Sequence, residues 1–357
     1  MKKITGKEST RKKLAFFDTK PYDRKSFSEV NKDFGFDITY FDAHLNMQTA
    51  LLCKKSDGIC VFVNDIIDKG VIKKLLKHGV KIIGLRCAGY NNLDLKSLHN
   101  KIDVVHVPAY SPYAVAEHAV ALMLSLNRKT YKAYHRTRDG NFSIDGLLGF
   151  DMHAKTAGVV GSGKIGRCLV SILKGFGMSV LVYDPYPDEL YANEAGIKYV
   201  SLKEIYEHSD IISLHCPLTR ETEHMIDRQA IKLMKEGVMI INTGRGKLID
   251  TQALIAALKS GSIGSAGLDV YEEESEYFFE DKSMELITDD TLARLLTFPN
   301  VLITSHQAFL TREALHDIAL TTLNNFKAYF ESGNMVNQVC YRNDKHRTHN
   351  LKSVVNE

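Results

Sequence analysis

An α/β architecture of two doubly wound parallel-sheet domains is predicted by three features of the sequence. Short apolar runs alternate with helical patterns along nearly the whole chain. At residues 156–166, T-A-G-V-V-G-S-G-K-I-G carries a buried strand through glycines spaced G-x-G-x-x-G and into a helix. A length of 357 residues supplies enough chain for two cores.

The first unit is read from apolar runs at 14–17, 37–41, 58–63, 81–85 and 102–107, with helical stretches between several of them. It has no phosphate-binding fingerprint. Its fourth strand ends in Arg86-Cys87-Ala88-Gly89-Tyr90-Asn91-Asn92, and ligands of open α/β sheets sit beyond the carboxyl ends of strands. This loop is therefore a candidate cleft wall, with an ordinary glycine turn as the equally weighted alternative. Pro108 and Pro112 bracket a stiff extended crossing, because each proline biases its predecessor away from helix. A long helix starts at Ser111 or Tyr113, with Ala116, Ala119, Val120, Met123, Leu124 and Leu126 on its apolar face. Arg128–Arg138 is read as its basic continuation, either a solvated face or an oligomer contact. A glycine-rich stretch, 140–151, leads to the strand at 157–160.

In the motif that follows, Gly161 allows a tight turn, Gly163 lets a pyrophosphate approach the backbone, and Gly166 lets the helix pack on its strand. The helix opening near Lys164 aims free N–H groups and a partial positive charge at the phosphates. The next strand, Ser179–Tyr183, ends at Asp184, placed to bind a ribose diol and to repel a 2′-phosphate. The cofactor expected is NAD rather than NADP. Strands at 211–214, 238–241 and 265–268 continue the domain, with a helix over 250–259. An acidic insertion (272–290), a last strand (301–304) and a final helix (about 311–331) complete it, the helix returning the chain toward the first unit.

Three loops of this domain carry the chemistry. Arg245, Glu274 and His306 all follow strand ends, on the edge where the cofactor lies. A guanidinium clamps a carboxylate in two places, which a lysine point charge does not. An imidazolium protonates a carbonyl oxygen as hydride arrives at carbon, and a neighbouring carboxylate fixes its tautomer. The set suits reduction of a 2-keto acid. Singly, each residue has an ordinary reading: a surface ion pair for Arg245, a solvated acidic run for Glu274, a structural strand-end histidine for His306. His215, beside Cys216 and Pro217, is a rival base, but lining the cofactor pocket is the reading favoured for it.

Lys and Arg total 46 against 43 Asp and Glu, a net charge of +3 that provides no field for nucleic acid or an anionic membrane. The basic N-terminus (Lys2, Lys3, Lys7, Arg11, Lys12, Lys13) reads as a solvated tail. With no long apolar stretch and no apolar signal-like core, a cytoplasmic protein is expected. Six scattered cysteines (Cys53, Cys60, Cys87, Cys168, Cys216, Cys340) lack metal-ligand spacing, so reduced, mostly buried thiols and no metal site are expected.

From Lys13 to Tyr341 the chain resembles the D-isomer-specific 2-hydroxyacid dehydrogenases, and within them the bacterial fermentative D-lactate-forming branch. The resemblance rests on R-C-A-G-Y-N-N-L-D (86–94), V-P-A-Y-S-P-Y-A-V-A-E-H (107–118), G-V-V-G-S-G-K-I-G (158–166), V-Y-D-P-Y-P (182–187) and S-L-H-C-P-L-T (213–219). It continues through I-N-T-G-R-G (241–246), G-L-D-V-Y-E-E-E (267–274) and S-H-Q-A-F-L-T (305–311). It implies two Rossmann-like domains, the catalytic one discontinuous: 13–109 with 308–341 for substrate and 110–307 for NAD, with tails at 1–12 and 342–357.

The implied reaction is NADH-dependent, reversible reduction of pyruvate to D-lactate, with hydride from nicotinamide C4. Arg245 is then the substrate-binding arginine, His306 the acid/base and Glu274 its partner. Tyr110 helps hold substrate, the Ala88 and Gly89 amides meet its carboxylate, and Phe309 walls the methyl pocket. Asp184 takes the ribose, Lys164 and Ile165 cover the pyrophosphate, and Asp269 meets the carboxamide near Cys216, Pro217 and Thr243. Gly244 stands where relatives usually have Ser or Ala, which implies looser positioning of Arg245. The family further implies a homodimer or higher homo-oligomer. Two alternatives stay open: a dehydrogenase for larger D-2-hydroxy acids, and a non-enzymatic NAD(H)-sensing protein like the corepressors that share the fold.

Overall fold

The computed structural model describes residues 11–274 and 277–341. Lys2, Lys3 and Lys7 of the expected basic tail, and the tail from Arg342, lie outside the described residues. Among the described residues the chain divides into two compact units: one holds residues 11–110 and 312–341, the other lies within Ser111–Thr311.

The first unit is a five-stranded parallel sheet of β1 (Lys13–Phe16), β2 (Asp37–Tyr40), β3 (Gly58–Val61), β4 (Ile82–Leu85) and β5 (Asp103–Val105), in the order β2-β1-β3-β4-β5. Helices α1 (Pro21–Val30), α2 (Lys69–Lys77) and α3 (Leu95–Leu98) lie between its strands. β3 and β4 are buried throughout, as expected for parallel strands covered on both faces. Two strand glycines make room for the helix Arg312–Ser332, whose Phe326 is fully buried. A Cβ on Gly84 would sit 2.6 Å from the Phe326 ring, and one on Gly58 would sit 3.2 Å from it. The aromatic ring thus fills what a side chain at either position would otherwise occupy.

The second unit opens with α4 (Pro112–Arg128) and α5 (Thr130–Arg138) and continues β6 (Thr156–Val160), α6 (Lys164–Gly175), β7 (Ser179–Tyr183), α7 (Glu189–Ala195), β8 (Lys198–Tyr199), α8 (Leu202–His208) and β9 (Ile211–Leu214). Then come α9 (Arg228–Leu233), β10 (Val238–Asn242), α10 (Thr251–Ser260), β11 (Ile263–Leu268), α11 (Asp290–Thr297) and β12 (Val301–Ile303). α12 (Arg312–Ser332) belongs to the first unit. The seven strands are parallel, in the order β12-β11-β10-β9-β6-β7-β8. The order reverses between β9 and β7 around β6, so the glycine motif after β6 lies at the switch point where such sheets bind ligands.

The basic stretch is not a continuation of the long helix. Lys129 takes a left-handed conformation (φ 48°) and starts a new helix. Asn127 explains the break, since its side chain donates to Phe150 O (2.8 Å) and accepts from Phe150 N (2.8 Å), tying the helix end to the returning chain. β8, only two residues long, carries too short an apolar pattern to be read from the sequence. All six cysteines are unpaired, but only Cys53 and Cys60 are fully buried, so burial is less general than expected. Residues 308–311 fall in the second unit, where Ala308 N donates to the Asp269 carboxylate (2.9 Å). No described helix is long and apolar enough to cross a membrane.

Candidate active site

The glycine motif divides its work among three positions. Gly161 has φ 102°, and a Cβ there would lie 2.6 Å from His215 O. At Gly166 a Cβ would lie 2.0 Å from Gly161 O, so turn and helix are in backbone contact. Gly163, by contrast, has φ −66° and ψ −176°, open to any residue, and a Cβ there meets nothing within 4 Å. Its missing side chain serves no packing need of the protein; it leaves a clear approach to the α6 N-terminus, as a dinucleotide pyrophosphate requires. Gly163→Val should therefore keep the wild-type thermal midpoint within about 2 °C while weakening NADH binding at least 100-fold by fluorescence titration. A fall in midpoint with binding intact would contradict this.

Asp184, at the end of β7, is aimed by neighbours. Its Oδ2 accepts from Ser162 N (2.7 Å) and Ser162 Oγ (2.9 Å), and its Oδ1 from Tyr186 N (3.0 Å). Tyr199 donates to Ser162 Oγ (3.0 Å) in turn. The carboxylate is thereby held rigidly beside the glycine turn, where it suits a diol and opposes a phosphate. Lys164 is exposed and Ile165 half-buried at the first turn of α6.

After β9, Ser213 Oγ and His215 Nε2 are 2.8 Å apart. Burial pushes His215 down to about 4, so the ring is neutral near pH 7 and is no rival proton donor there. Between about pH 4 and 6.5 the folded state binds fewer protons here than the unfolded state. Its stability contribution is then complete above pH 6.5 and lost as the pH falls toward 4. In a series of thermal melts, His215→Gln should flatten the acid limb of the wild-type curve. Burial likewise pushes the Cys216 thiol up to about 11, so it is a protonated wall rather than a nucleophile. Pro217 beside it is exposed.

β10 leads into the arginine loop. Asn242 crosses the turn: its Nδ2 donates to Arg245 O (2.9 Å), and its Oδ1 accepts from Gly244 N (3.0 Å). Gly246 lies so close to the loop after β11 that a Cβ would be 2.1 Å from the Tyr271 carbonyl. Arg245 is half-buried, with one terminal nitrogen donating to Gly244 O (2.8 Å). A Cβ at Gly244 would make ordinary contacts, the nearest at 3.4 Å, so Asn242 and Gly246 restrain this loop whether or not residue 244 has a side chain. Thr243 Oγ1 is buried and finds no hydrogen-bond partner among the described residues. An orphaned hydroxyl at this edge fits a polar group of the cofactor.

His306 and Glu274 form a pair. His306 Nδ1 lies 2.8 Å from Glu274 Oε1, while Glu274 Oε2 accepts from Tyr271 N (3.1 Å). With Nδ1–H donated to the carboxylate, Nε2 is the nitrogen left for a substrate oxygen. The His306 backbone is left-handed (φ 48°), and its N–H donates to Asp269 O (2.8 Å). Asp269 is fully buried; its carboxylate accepts from Gln307 N (2.9 Å), Ala308 N (2.9 Å) and Thr304 Oγ1 (2.5 Å). His118 Nε2 approaches the same carboxylate at 3.3 Å. Asp269 thus fixes the turn that carries His306. Phe309, three residues on, is almost fully buried.

In the first unit, Ala88 and Gly89 follow β4, and Tyr110 follows β5 at the unit's boundary. The loop is anchored by Arg86, which is 1 % exposed. Its Nε lies 3.3 Å from Asp23 Oδ1, a terminal nitrogen donates to Asp18 O, and its guanidinium lies 4.7 Å from the Phe62 ring centroid. His106 Nδ1 is within 3.0 Å of Ala88 O.

Asn242, Ser162, Thr304, His118 and Gly246 are supports that sequence reasoning did not assign. A short polar residue at a strand end is a readable signal, because such side chains tie down loop backbone. His118 and Thr304, 186 residues apart, give no such local signal.

Six adjacent strand ends of one parallel sheet therefore deliver, in spatial order, His306, Glu274, Arg245, His215, the glycine turn and Asp184. A family model described as "D-isomer specific 2-hydroxyacid dehydrogenase, NAD binding domain" matches residues 120–308. D-lactate dehydrogenase of Escherichia coli (strain K12) is 54% identical over 314 residues, covering 88% of this chain and 95% of the relative. An apo structure of D-lactate dehydrogenase from Escherichia coli has a TM-score of 0.85 at 50% identity, covering 92% of this chain and 99% of its own. The pyruvate reductase of Chlamydomonas reinhardtii has a TM-score of 0.86 at 44% identity, covering 89% and 96%. With that agreement over nearly the whole chain, the protein belongs to the D-isomer specific 2-hydroxyacid dehydrogenases and is an NAD-dependent enzyme of that family.

Proposed function

We propose that the enzyme reduces pyruvate to D-lactate with NADH, reversibly. The observation that carries this is the 2.8 Å His306–Glu274 pair, set on the same sheet edge as the arginine loop and the glycine cradle. The bound dinucleotide supplies hydride to the carbonyl carbon. Arg245 holds the substrate carboxylate through paired N–H donors, supported by the Ala88 and Gly89 amides and by Tyr110. That clamp fixes the position of the neighbouring carbonyl. His306 holds a proton on Nε2 and passes it to the carbonyl oxygen, and Glu274 keeps the ring oriented through Nδ1. Phe309 walls the methyl group, and Asp269 and Thr243 serve the nicotinamide end. In the reverse direction the neutral His306 accepts the hydroxyl proton. The names of the relatives, D-lactate dehydrogenase and pyruvate reductase, support the choice of acid.

Mixing the protein with NADH and pyruvate should consume NADH absorbance and yield D-lactate in a chiral assay. No turnover, or L-lactate as product, would defeat this reading. NADH binding without turnover of any 2-keto acid would favour the sensing protein instead.

A homodimer or higher homo-oligomer is also proposed. The segment between α5 and β6 exposes Phe142, Ile144 (81%) and Leu148 (88%), apolar side chains of the kind that a second copy of the chain would cover. Light scattering should give at least twice the 40.1 kDa chain mass, and Leu148→Asp should reduce it. A monomeric wild type would count against the proposal.

A further inference from the structure

Beyond Glu274, the acidic insertion after β11 takes no part in the proposed reaction, yet it places a strained aromatic residue against the acid/base. Phe279 has φ 71°, a left-handed conformation that a bulky aromatic residue rarely adopts. Its ring centroid lies 5.8 Å from that of His306, with the planes tilted by 33°. The same ring also meets Phe309, at 6.5 Å and 58°.

The surrounding turn enforces this placement. Tyr277 N (3.1 Å) and Phe278 N (2.9 Å) both donate to Glu274 O, and Phe279 N donates to Ser305 Oγ (3.3 Å), the residue before His306. Phe278 is buried in the core, and Tyr277 OH pairs with Thr288 Oγ1 (2.9 Å) and accepts from Asp289 N (2.9 Å). The backbone of Glu274, the carboxylate partner of His306, thus also anchors the turn that brings Phe279 onto His306. Strain that is this heavily restrained points to function.

A 2-keto acid whose carbonyl oxygen reaches His306 Nε2 carries its side chain one bond from the reacting carbon. Apolar groups packed beside the imidazole are therefore placed to meet that side chain. We propose that Phe279 is a specificity-determining residue: its ring, in contact with both His306 and Phe309, limits the accepted side chain to about the size of a methyl group. This rests on the pyruvate reading above and deepens it.

The test compares kcat/KM for pyruvate, 2-ketobutyrate and 2-ketoisocaproate, with NADH, in the wild type and in Phe279→Leu, Phe279→Gly and Phe279→Tyr. Glycine relieves the left-handed backbone, so the Gly variant keeps the turn without the ring. The 2-ketoisocaproate-to-pyruvate ratio is expected to rise at least tenfold in the Leu and Gly variants, the scale of one methylene in a pocket, and to stay within twofold of wild type in Phe279→Tyr. A ratio within twofold of wild type in both truncations overturns the proposal, even if all rates fall together, because that is what a purely structural residue gives. Loss of folding in both truncations overturns it too. A wild type that prefers 2-ketoisocaproate, or reduces no 2-keto acid, overturns the pyruvate reading and this inference with it; an unchanged ratio in an active pyruvate reductase overturns this inference alone.

Discussion

His306→Gln is expected to lower kcat for pyruvate reduction by about 10²–10⁴, the range of a lost general acid, while NADH affinity stays within about threefold. Glutamine preserves volume and polarity but carries no transferable proton. The structure makes the effect specific to the ring. Nδ1 is committed to Glu274 at 2.8 Å, so only Nε2 serves substrate, and the backbone is held independently by its bond to Asp269 O at 2.8 Å. The substitution should therefore remove the proton without moving the loop. Glu274→Gln should also lower kcat, by less, because the amide oxygen can still orient the ring but no longer makes a charge-assisted hydrogen bond to it. His215→Gln is the control: that ring is already neutral near pH 7 and should cost kcat less than tenfold. Steady-state rates and fluorescence titration of NADH decide the matter. A kcat within tenfold of wild type for His306→Gln would remove His306 from the role of acid.

What the sequence disclosed of this site follows from how each part is built. The glycine turn is local, with its three positions fixed by offsets of two and three residues, so it could be assigned before any coordinates. His306 and Glu274 are 32 residues apart, but both follow strands that are neighbours in the sheet, and the topology of doubly wound sheets makes that adjacency inferable. The break at Lys129 was hidden because it depends on Asn127 meeting Phe150, a contact across 23 residues of irregular chain. Phe279 was hidden for the same reason. Its placement depends on a turn hung from Glu274 and on Ser305, and nothing in an acidic, aperiodic run of sequence marks one phenylalanine among its neighbours as facing a histidine. Burial also misled in detail: cysteine is usually interior, yet Cys340 is exposed.

Arg245→Lys separates substrate binding from cofactor binding. Lysine keeps the positive charge but replaces a planar fork with a single mobile point, so one of two charge-assisted hydrogen bonds to the substrate carboxylate is lost along with the orientation they impose. A loss of about 3 kcal/mol corresponds to roughly 10²-fold in kcat/KM for pyruvate. The backbone that carries residue 245 should not move, because Asn242 bonds the carbonyl of 245 and the amide of 244, and Gly246 packs on Tyr271 through backbone alone. None of these contacts uses the guanidinium. The cradle lies two strands away, after β6, with β9 between it and β10, so NADH affinity should change by no more than about threefold. Steady-state kinetics in pyruvate, set beside direct titration of NADH on the same preparation, give both numbers. Equal loss in the two would mean that Arg245 holds the cofactor rather than the keto acid, and the carboxylate clamp would then have to be sought on the first unit, beginning with the Ala88–Gly89 loop.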